Sequence, residues 1–231
     1  MIHLAVETST EVVDLALLEE DRILARLSVF RPGGASEVLV RGLETLLEMA
    51  CEKKESIALL SSSAGPGTYT SISVGHLFCK GLAMGMKIPH LTVSPFLVLA
   101  EQAFSVAGTE EDFLVVVLDA RRVEVNACLF DPDNPVVPVS GAGEQFSGRA
   151  VSPRKILESI PPGKGRIVGP GVLHIEKELS GQGHGQKSPL LVHDFPQAGT
   201  MGRLAIRSWR AREEGDVPGS TLLYGRDSVI A

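Results

Sequence analysis

At 231 residues, with 44% hydrophobic and 22% charged side chains, the chain is long enough for one large domain or two small ones with real cores. A formal net charge of −6 argues against tight stand-alone binding to a polyanion such as RNA. No apolar run approaches the ~20 residues of a membrane-spanning helix. Cys51, Cys79 and Cys128 lie far apart within apolar patterns, so they read as buried thiols in a reducing cytoplasm and not as a disulfide framework. The six histidines form no His-Glu-x-x-His, and no Cys-x-x-Cys occurs, so no metal site of recognisable spacing is expected.

Residues 2–7 read as a strand. Met1-Ile2-His3-Leu4 has no basic region before its apolar run, so the start is taken as that strand and not as a signal peptide. Residues 12–18 and 23–30 read as two further strands, joined by turns at Ser9-Thr10 and Glu20-Asp21. Arg31-Pro32-Gly33-Gly34 breaks the chain, and Ser36 is placed to cap a helix running to about Glu52. Leu39, Leu43, Leu46, Leu47 and Ala50 form its apolar face. A strand over 57–62, a helix over 70–86, a strand over 88–93 and a helix from Pro95 to Phe104 complete a first lobe. The junction is expected at Gly108–Asp112, giving an N-terminal lobe over 1–107 and a C-terminal lobe over 108–231. In the second lobe, 113–118 and 123–130 read as strands about a tight turn, and 131–185 is Pro- and Gly-rich. A last helix over 200–214 is expected to pack back on the first lobe, and the tail is loosely patterned.

The two halves resemble each other. "LAVETSTEVVDLALL" (4–18) lies over "VVLDARRVEVNACLF" (116–130), setting Glu7 against Asp119 and Asp14 against Asn126. A second Gly-Pro-Gly at 169–171 echoes Gly65-Pro66-Gly67 at nearly the same displacement, each after a strand and before a helical pattern. Amphipathic hairpins alone would be weak evidence of kinship. Two features recurring in step favour a duplicated α/β lobe, each copy opening with a hairpin whose acidic residue points into a shared cleft. There a carboxylate could hold hydrated Mg²⁺ and hairpin amides could approach phosphate. Glu7, Thr8, Ser9, Gly65, Gly67 and Asp119 are therefore the nucleotide-binding candidates, against the plainer reading of ordinary turn residues.

The stretch "SSSAGPGTYTSISVG" (61–75) is neither a Walker loop, lacking Gly-Lys-Ser/Thr, nor a dinucleotide fingerprint. Two readings stay open: an anion at the free amides of a helix N-terminus, or a plain turn capped by Thr68 or Thr70. In the helix that follows, Ser71/Gly75 and Gly81/Gly85 are small pairs four apart that suit close approach of another element. Glycine inside a helix costs about 1 kcal/mol relative to alanine, so these positions need a packing reason.

"LAVETST", "AGPGTYTSISVGHLFCKGLAMGMKIPHLTVSPFLVLA", "LDARRVEVNACLF" and the tail "LLYGRDSVIA" together resemble the TsaB (YeaZ) family of glycoprotease-like proteins. The resemblance implies an α/β fold of two similar lobes, of the actin/hexokinase/Hsp70-like (ribonuclease H-like) kind, the second small and irregular. It implies a non-catalytic scaffold for tRNA N6-threonylcarbamoyladenosine modification that binds and activates the transferase TsaD, with TsaE as a further partner. On that basis the chain forms a homodimer when alone and meets tRNA only through the complex. It has no cofactor of its own, any ATP or ADP with Mg²⁺ entering with the complex. It is cytoplasmic, with no membrane contact. Leu39, Leu43, Leu46, Ile72, Gly75, His76 and Cys79, on the helices at 36–52 and 70–86, are the expected dimer interface. The sequence departs from the family pattern at Glu7, where Asp is common, at Ala35, where His is frequent, and at Ser71-Ile72-Ser73, where Gly-x-Arg is usual. Losing that arginine removes a fixed cation with five donors.

Arg121 and Arg122 are candidates for a partner or RNA contact, and Arg203, Arg207 and Arg210 form a basic stripe on the last helix, partly offset by Glu213 and Glu214. No catalytic residue is assigned. A serine peptidase is the weakest reading, for no nucleophile elbow is present. The rivals to a scaffold are an ATP-dependent small-molecule kinase or ATPase of the same superfamily, and a self-assembling nucleotide sensor.

Overall fold

The computed structural model describes residues 1–106, 111–131, 134–138, 147–180 and 189–211. It opens with three antiparallel strands, β1 (Ile2–Glu7), β2 (Val12–Glu19) and β3 (Arg22–Phe30). Strands β4 (Ile57–Ser63) and β5 (His90–Val93) then add in parallel, giving a sheet of order β3-β2-β1-β4-β5. Helix α1 (Ala35–Ala50) precedes β4, α2 (Tyr69–Met86) joins β4 to β5, and α3 (Pro95–Ser105) follows.

Strand alternation decides which residues face which layer. Ile2, Leu4 and Val6 of β1, with Val13, Leu15 and Leu17 of β2, pack against α1 through Leu39, Leu43 and Leu46 and against α2 through Cys79 and Ala83. The opposite face, with Ala5, Ala16, Leu18 and Leu59, is covered by α6 (Ala198–Ala211) through Ala198, Met201, Ala205 and Ile206. The first unit thus comprises residues 1–98 together with α6, and the chain divides inside α3 at Val98/Leu99, ahead of the expected 107/108 boundary. A continuous apolar sheet face needs a cover, and α6 supplies it from the far end of the sequence.

The second unit repeats the plan. β6 (Phe113–Asp119), β7 (Val125–Asp131) and β8 (Asn134–Pro138) are antiparallel, while β10 (Gly165–Val168) and β11 (Leu190–Val192) add in parallel beyond β6. The order β8-β7-β6-β10-β11 is that of the first sheet, strand for strand, with β9 (Ser147–Val151) also pairing β7. Helices α4 (Pro153–Ser159) and α5 (Val172–Ser180) set Ile156, Val172 and Ile175 on Val115, Val117, Ala127 and Ile167. The Pro/Gly-rich stretch therefore contains regular elements. Both Gly-Pro-Gly segments occupy the same place, after the first parallel strand and before a helix, and both open on a glycine at positive φ, Gly65 at 89° and Gly169 at 124°.

Two end signals differ from expectation. The residue before α1 is Gly34, with no side-chain cap, so Ser36 sits inside the first turn. Thr68 does precede α2, but its hydroxyl makes no capping bond. The matched tail at 222–231 and Glu213 and Glu214 lie outside the described residues, as does Gly108 of the expected junction.

Candidate functional site

The β1–β2 turn and the C-terminal end of β4 bring together polar residues of the first unit. Glu7 ends β1 and is wholly buried. Its Oε1 accepts the Ser63 hydroxyl at 2.6 Å and the Ser9 amide at 2.6 Å. Burial pushes the Glu7 pKa up, the hydrogen bonds from Ser63 and Ser9 opposing that shift and the Asp14 carboxylate adding to it. Thr8 and Ser9 are buried beside it, and Thr8 N donates to Ser63 Oγ at 3.2 Å. Glu7 Oε2, Thr8 Oγ1 and Ser9 Oγ have no protein partner.

The Gly65-Pro66-Gly67 loop closes over this turn. Thr68 N donates to Ser9 O at 3.0 Å, and a Cβ on Gly67 would strike the same carbonyl. The nucleotide-binding candidates Glu7, Thr8, Ser9, Gly65 and Gly67 are thus gathered, but packed on one another inside the unit. A hydrated Mg²⁺ needs room for several waters about its carboxylate, and Glu7, buried with Oε1 already doubly bonded, does not fit one. Asp119 ends β6 and is half exposed, and its Oδ1 accepts the Arg121 amide at 2.9 Å and lies 3.2 Å from His174 Nε2. Among the described residues no group of three or more His, Cys, Asp and Glu side chains is set to hold a metal.

Ser61 and Ser62 were not singled out by sequence as partners of histidines, yet every hydroxyl in the Ser61–Ser63 row meets a titratable group. Ser61 Oγ lies 2.9 Å from His3 Nε2 and Ser62 Oγ 2.8 Å from His90 Nε2, while Ser63 serves Glu7. The His76 ring of α2 lies 5.0 Å from that of His90, tilted by 49°. Burial lowers the His3 pKa to about 3; it lowers that of His90 to about 4, with the His76 and Lys80 charges adding to the effect. The available signal was three consecutive hydroxyls ending an apolar strand, because buried polar groups require partners.

Leu39, Leu43, Leu46, Ile72, Gly75, His76 and Cys79, expected at a dimer interface, are all buried within the unit. They hold α1 and α2 to the sheet; Gly75 is where α2 rides over the Thr8 side chain. The exposed side of α2 carries Tyr69, Leu77 and Met84, with open space at Gly81 and Gly85, and α1 exposes Val40 and Met49. The two small pairs of α2 therefore face different ways. The basic stripe of α6 is largely engaged within the unit: Arg203 donates to Asp21 O at 3.1 Å and Arg210 pairs with Glu20, so the helix clamps the β2–β3 turn. Arg121 and Arg122 stand exposed on the β6–β7 turn.

Two sheets of identical order, each opening with an antiparallel hairpin and continuing with parallel strands, define the duplicated actin/hexokinase/Hsp70-like fold. YeaZ from Pseudomonas aeruginosa has this fold, at a TM-score of 0.77 and 22% identity, covering 96% of this chain and 99% of that one. The ethanolamine utilization protein EutJ from Carboxydothermus hydrogenoformans shares it more distantly, at a TM-score of 0.50 and 11% identity over 89% of this chain and 90% of that one. The family model of TsaD, tRNA N6-adenosine threonylcarbamoyltransferase, matches residues 35–139. The tRNA threonylcarbamoyladenosine biosynthesis protein TsaB of Bacillus subtilis is 29% identical over 58% of this chain and 57% of its own length. TsaB of Escherichia coli is 26% identical over 53% of this chain and 52% of its own. The chain spans just over half the length of the curated relatives it matches. The chain is thus similar to TsaB proteins in sequence over about half its length and to YeaZ in fold.

Proposed function

We propose that the chain is a non-catalytic scaffold in tRNA N6-threonylcarbamoyladenosine modification, dimerising when alone and pairing with a TsaD transferase in the working complex. The observation that carries this reading is the outer face of α2. Tyr69, Leu77 and Met84 recur at helical spacing on one exposed stripe, and Gly81 and Gly85 leave room beside them. Exposed apolar surface of this kind marks an interaction site. The face lies within the segment matched by the TsaD family model. A surface that pairs with its own copy about a two-fold axis can pair in the same way with a related chain. TsaE joins this assembly, and ATP or ADP with Mg²⁺ enters with the partners. The sealed Glu7 carboxylate supports a scaffold over a kinase, since a base or metal ligand must reach its substrate.

Reconstitution tests the reading, with TsaD, TsaE, ATP, threonyl-carbamoyl-adenylate and tRNA. Modification should require this chain and should be lost in Leu77→Glu/Met84→Glu, while Glu7→Gln supports it. Loss of function in Glu7→Gln with an intact double variant would point to the kinase instead.

A further inference from the structure

No short motif joins His76 and His90, yet the fold sets them side by side. His76 lies on α2 and His90 opens β5, the edge strand of the first sheet. Their ring centres are 5.0 Å apart with the planes tilted by 49°. Both residues are buried, at 5% and 9% exposure, and each keeps its Nδ1 buried without a protein partner. A buried polar atom left unpaired is uncommon and calls for a cause. Here two such nitrogens, both good ligand atoms, belong to neighbouring rings.

Three features fit the pair to a metal ion. A tetrahedral ion bound at ~2.0–2.1 Å by two imidazole nitrogens sets their ring centres about 5 Å apart, which is the separation seen. The Ser62 hydroxyl, 2.8 Å from His90 Nε2, holds that ring from its far side. By taking the Nε2 proton it leaves the lone pair on Nδ1, the arrangement by which an outer hydrogen bond orients a ligating histidine. Burial lowers the pKa of both rings, which keeps them in the neutral form that binds metal. The orphaned Nδ1 alone is not the argument, since His3 and His174 also have one, but their rings meet Ser61 and Asp119. Lys80, exposed and one turn along α2, opposes a cation, so the affinity expected is micromolar and not that of a closed four-ligand site.

We propose that His76 and His90 form a two-histidine site for a borderline transition-metal ion of the Zn²⁺ type, water completing its coordination. Ser62 is the positioning residue that orients His90. An ion held there ties α2, which carries the exposed Tyr69, Leu77 and Met84, to β5.

The test uses the full chain stripped with EDTA and dialysed, with Zn²⁺ alone as calorimetric titrant and Co²⁺ as its spectroscopic substitute. Wild type should take up one equivalent, and Co²⁺ should give the visible absorption of a nitrogen-ligated ion. His76→Gln and His90→Gln should each bind at least ~10-fold more weakly, and Ser62→Ala about 10-fold more weakly through loss of the outer hydrogen bond. His193→Gln, in the second unit, should bind like wild type. Mg²⁺ should not compete, since it prefers oxygen ligands. Imidazole ¹⁵N resonances of the wild type give a reading that needs no variant: those of His76 and His90 should shift on adding Zn²⁺. No uptake by wild type, undiminished uptake by both histidine variants, or shifts confined to other histidines would overturn the proposal. The measurements need no transferase and no tRNA, so their failure and failure of the reconstitution are separate results.

Discussion

A methyl group added at Gly75 would enter the space of the Thr8 side chain, whereas one added at Gly81 or Gly85 meets nothing within 4 Å. Gly75→Leu is therefore expected to destabilise the first unit by ~1–3 kcal/mol or more through overpacking. Gly81→Ala should stabilise it by up to about 1 kcal/mol through helix propensity. Urea denaturation midpoints check both, and equal midpoints for the pair would contradict the assigned faces. Glu7 adds a titration. Its folded pKa is raised above the 4.5 of a free carboxyl, so its contribution is fully present below pH 4.5 and is lost as pH rises through the folded value. Between pH 5 and pH 8, wild type should lose more stability than Glu7→Gln, which has no proton to release.

Strand β4 carries the opposite pH dependence. His3 and His90 are held neutral against Ser61 and Ser62, with pKa values of about 3 and about 4 against 6.5 for a free imidazole. A depressed histidine contributes stability that is present above pH 6.5 and lost as pH falls towards the folded pKa, because the unfolded chain takes up the proton first. The loss has a limiting slope of ~1.4 kcal/mol per pH unit for each histidine. His76 and Lys80 face His90 and add repulsion once any imidazole charges. Unfolding midpoints from pH 7 down to pH 4.5 should fall steadily in wild type and less steeply in His90→Gln. A flat profile in wild type would contradict the buried, neutral assignment.

At the scale of the molecule, the outer face of α2 should govern self-association. Sedimentation at micromolar concentration should show a dimer for wild type and a monomer for Leu77→Glu/Met84→Glu, the variant keeping the wild-type circular dichroism spectrum because both side chains are exposed. TsaD added to the wild-type dimer should displace one copy and yield a one-to-one pair, since both partners are proposed to use that face. A monomeric wild type, or a double variant of dimer mass, would remove the docking face from the proposal.

Much of the architecture was legible because its signals are local. Short apolar runs bounded by turn residues mark 2–7 and 113–118 as strands, and the paired hairpins with the two Gly-Pro-Gly breaks reveal the duplication that the two sheet orders display. What a sequence pattern leaves open is direction. Ser71/Gly75 and Gly81/Gly85 look alike as small pairs, yet one turns to the sheet and the other to solvent, since only the neighbour across the gap decides which side is filled. The partners of Ser61, Ser62 and Ser63 come from β1 and β5, and α6 joins the first unit from the far end of the chain. Such pairings follow from burying both faces of one sheet, a requirement of the folded whole. Glu7 shows the consequence: an acidic residue at a strand end suggests a ligand site, and the packing of Ser9, Ser63 and Gly67 around it makes it part of the core.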